Sequence, residues 1–248
     1  MTSRSLQRRQ LSRSKIDLFV ECPRCLYLDV ARGVRRPSGP PFTLNNAVDA
    51  LMKAEFDTYR AAGRPHPLFA TSGIDAVPFV HPELDRWRHN FTGVRWKDEE
   101  TGWTLFGAID DLWHAASGEL IVADYKATAR ADVPTTERLY PSYRRQMDVY
   151  QFLMRRQGFE VSDRGWFVYA NGDARIGLFD GVLRFRTTMV PYDGDDAWVP
   201  GAFRRAVATI ERPEIPDPGE DCDYCNYVAK AAATGAAPPA VQGSGASR

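Results

Sequence analysis

The stretch Val122-Ala-Asp-Tyr-Lys-Ala-Thr128 (VADYKAT) places an acid and a lysine two positions apart in a run that otherwise suits the interior of a sheet. Because side chains i and i+2 of a β-strand point to the same face, Asp124 and Lys126 are expected to stand side by side. A surface salt bridge would explain such a pair, and it would contribute little to stability. The alternative is half of an active site, in which the carboxylate holds a metal ion and the ammonium group stabilises negative charge.

The bulk composition is that of a globular protein with a sizeable core. Of the 248 residues, 44% are hydrophobic and 26% are charged, and 32 Lys and Arg residues balance 32 Asp and Glu residues. This balance argues against a protein that coats nucleic acid non-specifically, but it leaves room for an enzyme with one basic groove. Apolar runs are far shorter than the roughly 20 residues of a membrane helix. The basic N-terminus is not followed by the apolar block of a signal peptide, so we expect a cytoplasmic protein without membrane contact.

The distribution of residue types predicts one folded domain between two tails. Residues 1–14 are rich in Arg and Ser and are predicted to be a flexible basic tail. Residues 229–248 are rich in Ala, Gly, Pro and Ser and are predicted to be disordered after a short helical start. Between them, residues 15–228 show helical patterns before and after a group of strand-like segments. This order predicts an α/β domain with a mixed, partly antiparallel central sheet flanked by helices.

The four cysteines form two Cys-x-x-Cys pairs, Cys22 with Cys25 and Cys222 with Cys225, at opposite ends of the predicted domain. Two such pairs supply four thiolates, the number that a tetrahedral zinc ion or a four-iron cluster needs. In a cytoplasmic protein, metal binding is favoured over a disulfide. The pairs are too far apart for a zinc ribbon, so we predict a clasp that ties the helical N-terminal part to the C-terminus. Two unrelated thiol pairs, one of them redox-active, are the alternative.

A second acid is predicted to approach the Asp124/Lys126 pair. Residues 103–113 are predicted to form one strand, which carries Asp110 and pairs as a hairpin with the strand that contains VADYKAT. Two carboxylates that converge on one point repel each other unless a divalent cation holds them, and Mg²⁺ suits such a site. Lys126 beside the metal would orient the attacking water and offset charge in the transition state. Asp111 is the rival to Asp110, but strand alternation predicts that it points to the other face.

The order of these residues resembles the PD-(D/E)XK nuclease superfamily. Gly-x-x-Asp at 107–110 is followed by Asp-x-Lys at 124–126. Gln146-Met-Asp-Val-Tyr150 is similar to the Gln-x-x-x-Tyr motif of the RecB-like branch, and its Gln and Tyr share one helical face. The terminal cysteines resemble those of iron–sulfur members of that branch, the AddB nuclease domain and the CRISPR-associated RecB-like exonucleases. The resemblance covers roughly residues 15–228.

This resemblance implies a restriction-endonuclease-like core and a nuclease that depends on Mg²⁺ or Mn²⁺. The implied substrate is DNA, with RNA not excluded, cut as single strands or at ends by an exodeoxyribonuclease in repair, recombination or defence. A helicase or repair protein would be a further partner. Asp110 and Asp124 are the implied metal ligands, and Lys126, Gln146 and Tyr150 are the implied catalytic partners of these acids. The four cysteines are implied to hold a 4Fe–4S cluster.

Two departures from the family pattern affect the implied ligands. The iron–sulfur relatives typically place one cysteine early and three late, whereas this chain has two early and two late, so Zn²⁺ stays an alternative to the cluster. The branch also often carries a histidine in an early helix as a further metal ligand. The matching segment here is Asn46-Ala-Val-Asp49, so that Asp49 either replaces this ligand or is an ordinary solvated helix residue.

Other interpretations of the same residues predict different functions. Arginines at 130, 138, 144, 145, 155 and 156 form either a local phosphate-binding patch that the net charge conceals or a solvated basic face. A non-catalytic DNA-binding or scaffolding subunit would keep the fold and the clasp, but the intact set of Asp, Asp and Lys argues against it. A redox- or metal-responsive protein built around the four cysteines is the third alternative.

Overall fold

The structure, a computed structural model, describes residues 8–175, 177–178 and 180–235 of the chain. Its helices are α1 (Arg13–Glu21), α2 (Pro23–Arg32), α3 (Thr43–Ala61), α4 (Pro67–Ser72), α5 (Leu84–Arg88), α6 (Pro141–Arg155), α7 (Trp198–Glu211) and α8 (Asp223–Ala233). Its strands are β1 (Gln10–Ser12), β2 (Ala76–Pro78), β3 (Val94–Lys97), β4 (Thr104–Gly107), β5 (Asp111–Ala115), β6 (Leu120–Thr128), β7 (Arg164–Gly172) and β8 (Phe185–Asp193). Within these ranges, none of the helices is both long and apolar enough to span a membrane.

The central sheet has five strands in the order β2-β5-β6-β7-β8, and a smaller sheet has the order β1-β4-β3. β6 is the middle strand of the large sheet; it runs antiparallel to β5 and parallel to β7. A middle strand is hydrogen-bonded on both sides, which makes it a rigid support for side chains that must be positioned accurately. The predicted α/β architecture, with a mixed sheet flanked by helices, is confirmed, and it is consistent with a restriction-endonuclease-like core.

β6 presents its alternate side chains to two different helices. On one face, Tyr125 packs against Phe56 of α3, with ring centroids 5.4 Å apart. On the other face, Val122 shares a core with Met147 of α6. Asp124 lies two positions after Val122, so it faces α6 at the end of that core. The side chains of VADYKAT therefore alternate between the two faces of the sheet, as the sequence predicts.

The segment before β5 departs from the prediction. The sequence predicts one strand over residues 103–113, but β4 ends at Gly107 in the small sheet and β5 begins at Asp111 in the large one. A Cβ atom at Gly107 would lie 2.9 Å from Cε1 of Tyr150, so glycine allows α6 to approach the chain at this break. Periodicity alone does not reveal such a break because both halves are strands. The break places Asp110 just outside the ladder.

Part of the predicted N-terminal tail is folded. Residues 10–12 of the predicted tail at 1–14 form β1, which pairs in parallel with β4, and the side chain of Leu11 is fully buried. α1 then begins at Arg13 instead of after the tail. A three-residue strand is too short to show an alternating pattern, so only its pairing reveals it. At the other end, α8 provides the predicted short helical start of the tail at 229–248, and residues 1–7 and 236–248 lie outside the described residues.

Candidate active site and cysteine cluster

Asp124 is fully buried, on the face of β6 that meets α6. It forms an ion pair with Lys126, and no other donor among the described residues reaches either carboxylate oxygen. A buried carboxylate with one ammonium group as its only donor is incompletely satisfied, and a bound cation would satisfy both oxygens. Burial raises the pKa of Asp124 well above its usual range, and the attraction of Lys126 opposes the shift.

Asp110 and Asp49 approach the site from two other elements. Asp110 accepts a hydrogen bond at Oδ2 from the backbone N–H of Tyr125, at 3.0 Å, which ties the end of the break to β6. Its Oδ1 lies 3.0 Å from Nζ of Lys53, whose other partner is Oδ2 of Asp49 at 2.8 Å. Burial and the charge of Asp110 raise the pKa of Asp49. Asp49 therefore borders the predicted site, one helical turn before Lys53.

The acidic residues form an open arrangement and not a closed ligand set. Within the described parts of the chain, the only groups of three or more candidate ligand atoms within 4.8 Å of one another belong to the four cysteines. The ammonium group of Lys53 lies between Asp49 and Asp110, where it provides the positive charge that these carboxylates need. Carboxylate oxygens are the ligands that Mg²⁺ and Mn²⁺ prefer. Together with the unsatisfied oxygens of Asp124, this donor set fits a divalent cation.

A chain of polar contacts links Lys126 to α6. Nζ of Lys126 donates to Oε1 of Gln146 at 3.0 Å, and Nε2 of Gln146 donates to the hydroxyl of Tyr150 at 3.0 Å. The same ammonium group lies 4.4 Å from the ring centroid of Tyr143. Burial alone would lower the pKa of Lys126, but the negative charges of Asp124 and Asp110 outweigh burial. The pKa of Lys126 is therefore raised, and the lysine stays charged. The structure thus connects Gln146 and Tyr150 of α6 to Lys126 of β6 through a chain of hydrogen bonds.

Asp111 lies on the opposite face of the sheet, as predicted, and its charge is already balanced. It forms ion pairs with Arg60 and Arg88, the latter at 2.8 Å. Its Oδ2 accepts a hydrogen bond from the hydroxyl of Tyr125 at 2.7 Å and another from Nε1 of Trp113 at 3.3 Å. A carboxylate with two guanidinium partners and several donors has a structural role, because it offers no free oxygen to a metal.

The four cysteines meet where the two ends of the domain come together. Sγ of Cys25 lies 3.6 Å from that of Cys222 and 3.7 Å from that of Cys225, and Sγ of Cys22 lies 3.8 Å from that of Cys225. Disulfide sulfurs are about 2.05 Å apart, so these contacts are between unlinked thiols. All four sulfurs lie within 4.8 Å of one another. The predicted joining of the N-terminal helices to the C-terminus is confirmed, and the cluster is referred to below as the cysteine clasp.

N–H donors lie beside two of the four sulfurs of the clasp. Backbone N–H groups of Cys25 and Gly219 donate to Sγ of Cys22 at 3.4 and 3.2 Å. Nη2 of Arg36 lies 3.5 Å from Sγ of Cys222. Burial raises the pKa of Cys222, but hydrogen bonds from the backbone of Cys225 and from the neighbouring thiols outweigh it and lower that pKa to about 7. Burial, together with hydrogen bonds among the neighbouring thiols, raises the pKa values of Cys25 and Cys225. Four converging cysteine sulfurs fit a soft metal ion.

Comparison with known proteins identifies the family of this chain. The family model of the PD-(D/E)XK nuclease superfamily matches residues 10–229. The chain belongs to this superfamily. A solved structure titled "Crystal structure of SSO0001" has 11% sequence identity and a TM-score of 0.37, with 89% of this chain and 84% of that chain covered. The curated proteins contain no match.

Two cationic side chains near the acids, Arg13 and Lys53, were not predicted from the sequence. Arg13 lies near Asp124 and the Tyr150 hydroxyl; burial alone would lower its pKa, but these groups and Asp17 raise it. No sequence signal indicated this residue, because it falls in the predicted tail. Lys53 could have been found from its i,i+4 spacing after Asp49, which places both side chains on one face of α3.

Proposed function

We propose that this chain is a divalent-metal-dependent nuclease that hydrolyses phosphodiester bonds of DNA at the site around Asp124. The observation that carries the proposal is the buried carboxylate of Asp124, whose only donor among the described residues is the ammonium group of Lys126. A structural ion pair would be expected to satisfy its carboxylate fully, as the one at Asp111 does. The PD-(D/E)XK superfamily match supports the same chemistry.

The proposed roles follow from the contacts of each side chain. Asp124 and Asp110 would hold the metal ion, with Asp49 as a third acid on α3. Bound there, Mg²⁺ or Mn²⁺ would supply Lewis acidity to the phosphate and lower the pKa of a water molecule. Lys126 would lie beside the attacking water and stabilise the negative charge that develops on the phosphate. The proposed catalytic residues on α6, Gln146 and Tyr150, would fix this lysine and contact the substrate.

The finer assignment to the RecB-like branch is part of the proposal. It is supported by the Gln-x-x-x-Tyr spacing: Gln146 donates to the hydroxyl of Tyr150 and accepts from Lys126, the proposed catalytic lysine. On this assignment the enzyme is an exonuclease that acts on single strands or ends in DNA repair, recombination or defence, in the cytoplasm, with a helicase or repair protein as partner. RNA is the alternative substrate.

We also propose that the cysteine clasp binds one tetrahedral metal ion, Zn²⁺, in preference to a 4Fe–4S cluster. Sulfurs placed 2.3 Å from a tetrahedral centre are about 3.8 Å apart. Three of the six separations in the clasp are 3.6, 3.7 and 3.8 Å, and all six are within 4.8 Å. In a 4Fe–4S cluster each thiolate binds a different iron atom, so the cluster would hold the four cysteine sulfurs farther apart. The even division of cysteines between the two ends of the chain agrees with this assignment.

The direct test of the proposed function is cleavage of labelled single-stranded, double-stranded and flap DNA, and of RNA, with Mg²⁺ or Mn²⁺. Cleavage that EDTA abolishes is the expected result. A preference for free ends would support the exonuclease assignment. Purified protein that cleaves none of these substrates with either metal would overturn the proposal in favour of a non-catalytic DNA-binding or scaffolding subunit.

Replacing Lys53 should strengthen metal binding. The Lys53→Met variant keeps the apolar stem but removes the ammonium group that lies 2.8 Å from Asp49 and 3.0 Å from Asp110. Because a metal ion would no longer compete with this charge, we expect Mn²⁺ to bind about tenfold more tightly. Isothermal titration calorimetry measures the affinity, with Lys97→Met, at an exposed position on β3, as the control. Unchanged or weaker Mn²⁺ binding would mean that Lys53 does not occupy the cation position.

Replacing Gln146 should slow cleavage without affecting metal binding. Its side chain accepts from Lys126 and donates to Tyr150, so Gln146→Ala removes the link that orients the lysine. Loss of an orienting partner commonly costs ten- to hundredfold in activity, and we expect a fall of about this size in kcat. Gln157→Ala, near the end of α6 and bonded to the backbone of Arg95, is the matched control. A large change in Mn²⁺ affinity would contradict the assignment, because it would make Gln146 part of the metal site.

A further inference from the structure

An open cleft of about 430 Å³ lies next to the proposed active site. Its floor is the end of β6 and the following residues, 127–130, directly after Lys126. Its walls are largely aromatic: they include Phe42, Tyr140, Tyr143, Tyr169 and Phe185. The volume lies within the range of about 300–1,000 Å³ that is usual for small-ligand sites.

The cleft and the proposed active site share a wall. Tyr143 lines the cleft, and its ring centroid lies 4.4 Å from the ammonium nitrogen of Lys126. Val48, the residue before Asp49, also lines the cleft. Asn45 of the same helix donates to the backbone carbonyl of Ala127 at 3.0 Å, which fixes α3 against the end of β6. A group bound in the cleft would therefore be directly adjacent to a phosphate held at the metal site.

The chemistry of the lining suits the base of a nucleotide. Tyr140 is 52% exposed and Phe42 is 70% exposed, so aromatic surface faces solvent at the mouth. The guanidinium carbon of Arg130 lies 5.6 Å from the ring centroid of Tyr140. Among the described residues that line the cleft there is no carboxylate, so it does not repel a polyanion. Aromatic faces with an arginine beside them form the stacking platforms that bind single-stranded nucleic acid.

We propose that this cleft binds one unpaired nucleobase next to the scissile phosphate, with Tyr140 as the stacking residue and Arg130 at the adjoining phosphate. This inference rests on the proposed nuclease function and adds a base-binding site to it. A base inside a duplex is stacked and paired, and it reaches a lateral pocket only after it is extruded. The cleft therefore selects a single-stranded or frayed segment over a continuous duplex.

The test is binding of the full-length protein to a fluorescent single-stranded oligonucleotide in EDTA, so that no cleavage occurs. A matched oligonucleotide with the same backbone but abasic positions measures what the bases contribute. Stacking is worth about 1–3 kcal/mol per base, which corresponds to roughly five- to 150-fold in affinity. We expect the wild-type protein to lose at least about tenfold in affinity on the abasic strand.

Variants at the cleft mouth locate the effect. Tyr140→Ala should weaken binding to the normal strand by about tenfold and remove most of the difference between normal and abasic strands. Tyr140→Trp, which keeps a stacking surface, should restore that difference. Tyr227→Ala is the matched control, because this tyrosine is 73% exposed and lies on α8 beside the cysteine clasp. Thermal melting confirms that each variant is folded.

The possible outcomes separate this inference from the proposed function. Equal affinity of the wild-type protein for normal and abasic strands, or of Tyr140→Ala and the wild-type protein for the normal strand, would overturn the base-binding role of the cleft. Cleavage activity could survive that result, because the metal site does not depend on Tyr140. Conversely, base-dependent binding without any cleavage would support the cleft and overturn the nuclease function.

Discussion

Asp124→Asn is expected to abolish metal-dependent cleavage while the fold stays intact. The substitution keeps the shape of the side chain but removes the negative charge that would bind the cation. Loss of a single group that stabilises the transition state typically costs about 10²–10³ in rate, and a lost metal ligand should cost at least as much. The fold should survive because burial already raises the pKa of Asp124, so a neutral amide relieves part of an unfavourable desolvation. Lys126 would lose its ion-pair partner but would keep its hydrogen bond to Gln146.

Three measurements on this variant separate chemistry from folding: cleavage of labelled DNA, Mn²⁺ affinity by calorimetry, and the melting temperature. The matched control is Asp111→Asn, a second fully buried carboxylate on the opposite face of the same sheet. It should leave Mn²⁺ affinity unchanged but should destabilise the fold by about 1–3 kcal/mol, because Arg60 and Arg88 would lose one acidic partner and keep the other, Asp57. Wild-type cleavage rates or wild-type Mn²⁺ affinity in Asp124→Asn would refute the proposed metal site.

Cys222→Ser is expected to release the metal ion of the cysteine clasp and to lower the stability of the whole domain. A metal ion that joins segments distant in sequence contributes its binding free energy to folding, and structural zinc sites reach about 10–16 kcal/mol in small domains. In a chain of this size, each kcal/mol of lost stability lowers the melting temperature by about 2–4 °C. A loss of even a few kcal/mol is therefore measurable. Asn226→Ser is the matched control, since this exposed residue of α8 lies one position after Cys225.

Elemental analysis of the same samples tests the identity of the metal. We expect one zinc per wild-type chain and substantially less in Cys222→Ser. About four iron atoms per chain, with visible absorbance in protein purified without oxygen, would instead identify a 4Fe–4S cluster and contradict the single-ion assignment. Full metal content in Cys222→Ser would exclude a site made of all four thiolates.

The two sites are linked through α1, which gives the cysteine variant a second expected effect. This helix starts at Arg13, near Asp124 and Tyr150, and ends at the residue before Cys22. Its middle is held to α6 by a hydrogen bond of 2.5 Å from Arg145 to Asp17. Cys222→Ser should therefore reduce cleavage at temperatures where the domain is still folded, because α1 loses its anchor at one end.

Local sequence patterns predicted the parts of the site that lie within one element. The spacing of two between Asp124 and Lys126 fixed a common strand face, and the spacing of four between Gln146 and Tyr150 fixed a common helix face. The two Cys-x-x-Cys pairs predicted one cluster because their spacing is that of metal ligands. These predictions needed only the repeat of a strand or helix and the chemistry of the side chains.

The sequence by itself determined the class of fold, the face on which each motif lies and the residue types available for chemistry. Only the tertiary structure decided which elements meet: the break that separates β4 from β5 and positions Asp110, the arrival of Arg13 from a segment predicted to be a tail, and the position of Lys53 between Asp49 and Asp110. The reason is physical. Periodicity reports the direction of a side chain relative to its own backbone, whereas the distance between two elements depends on packing among residues that are far apart in the chain.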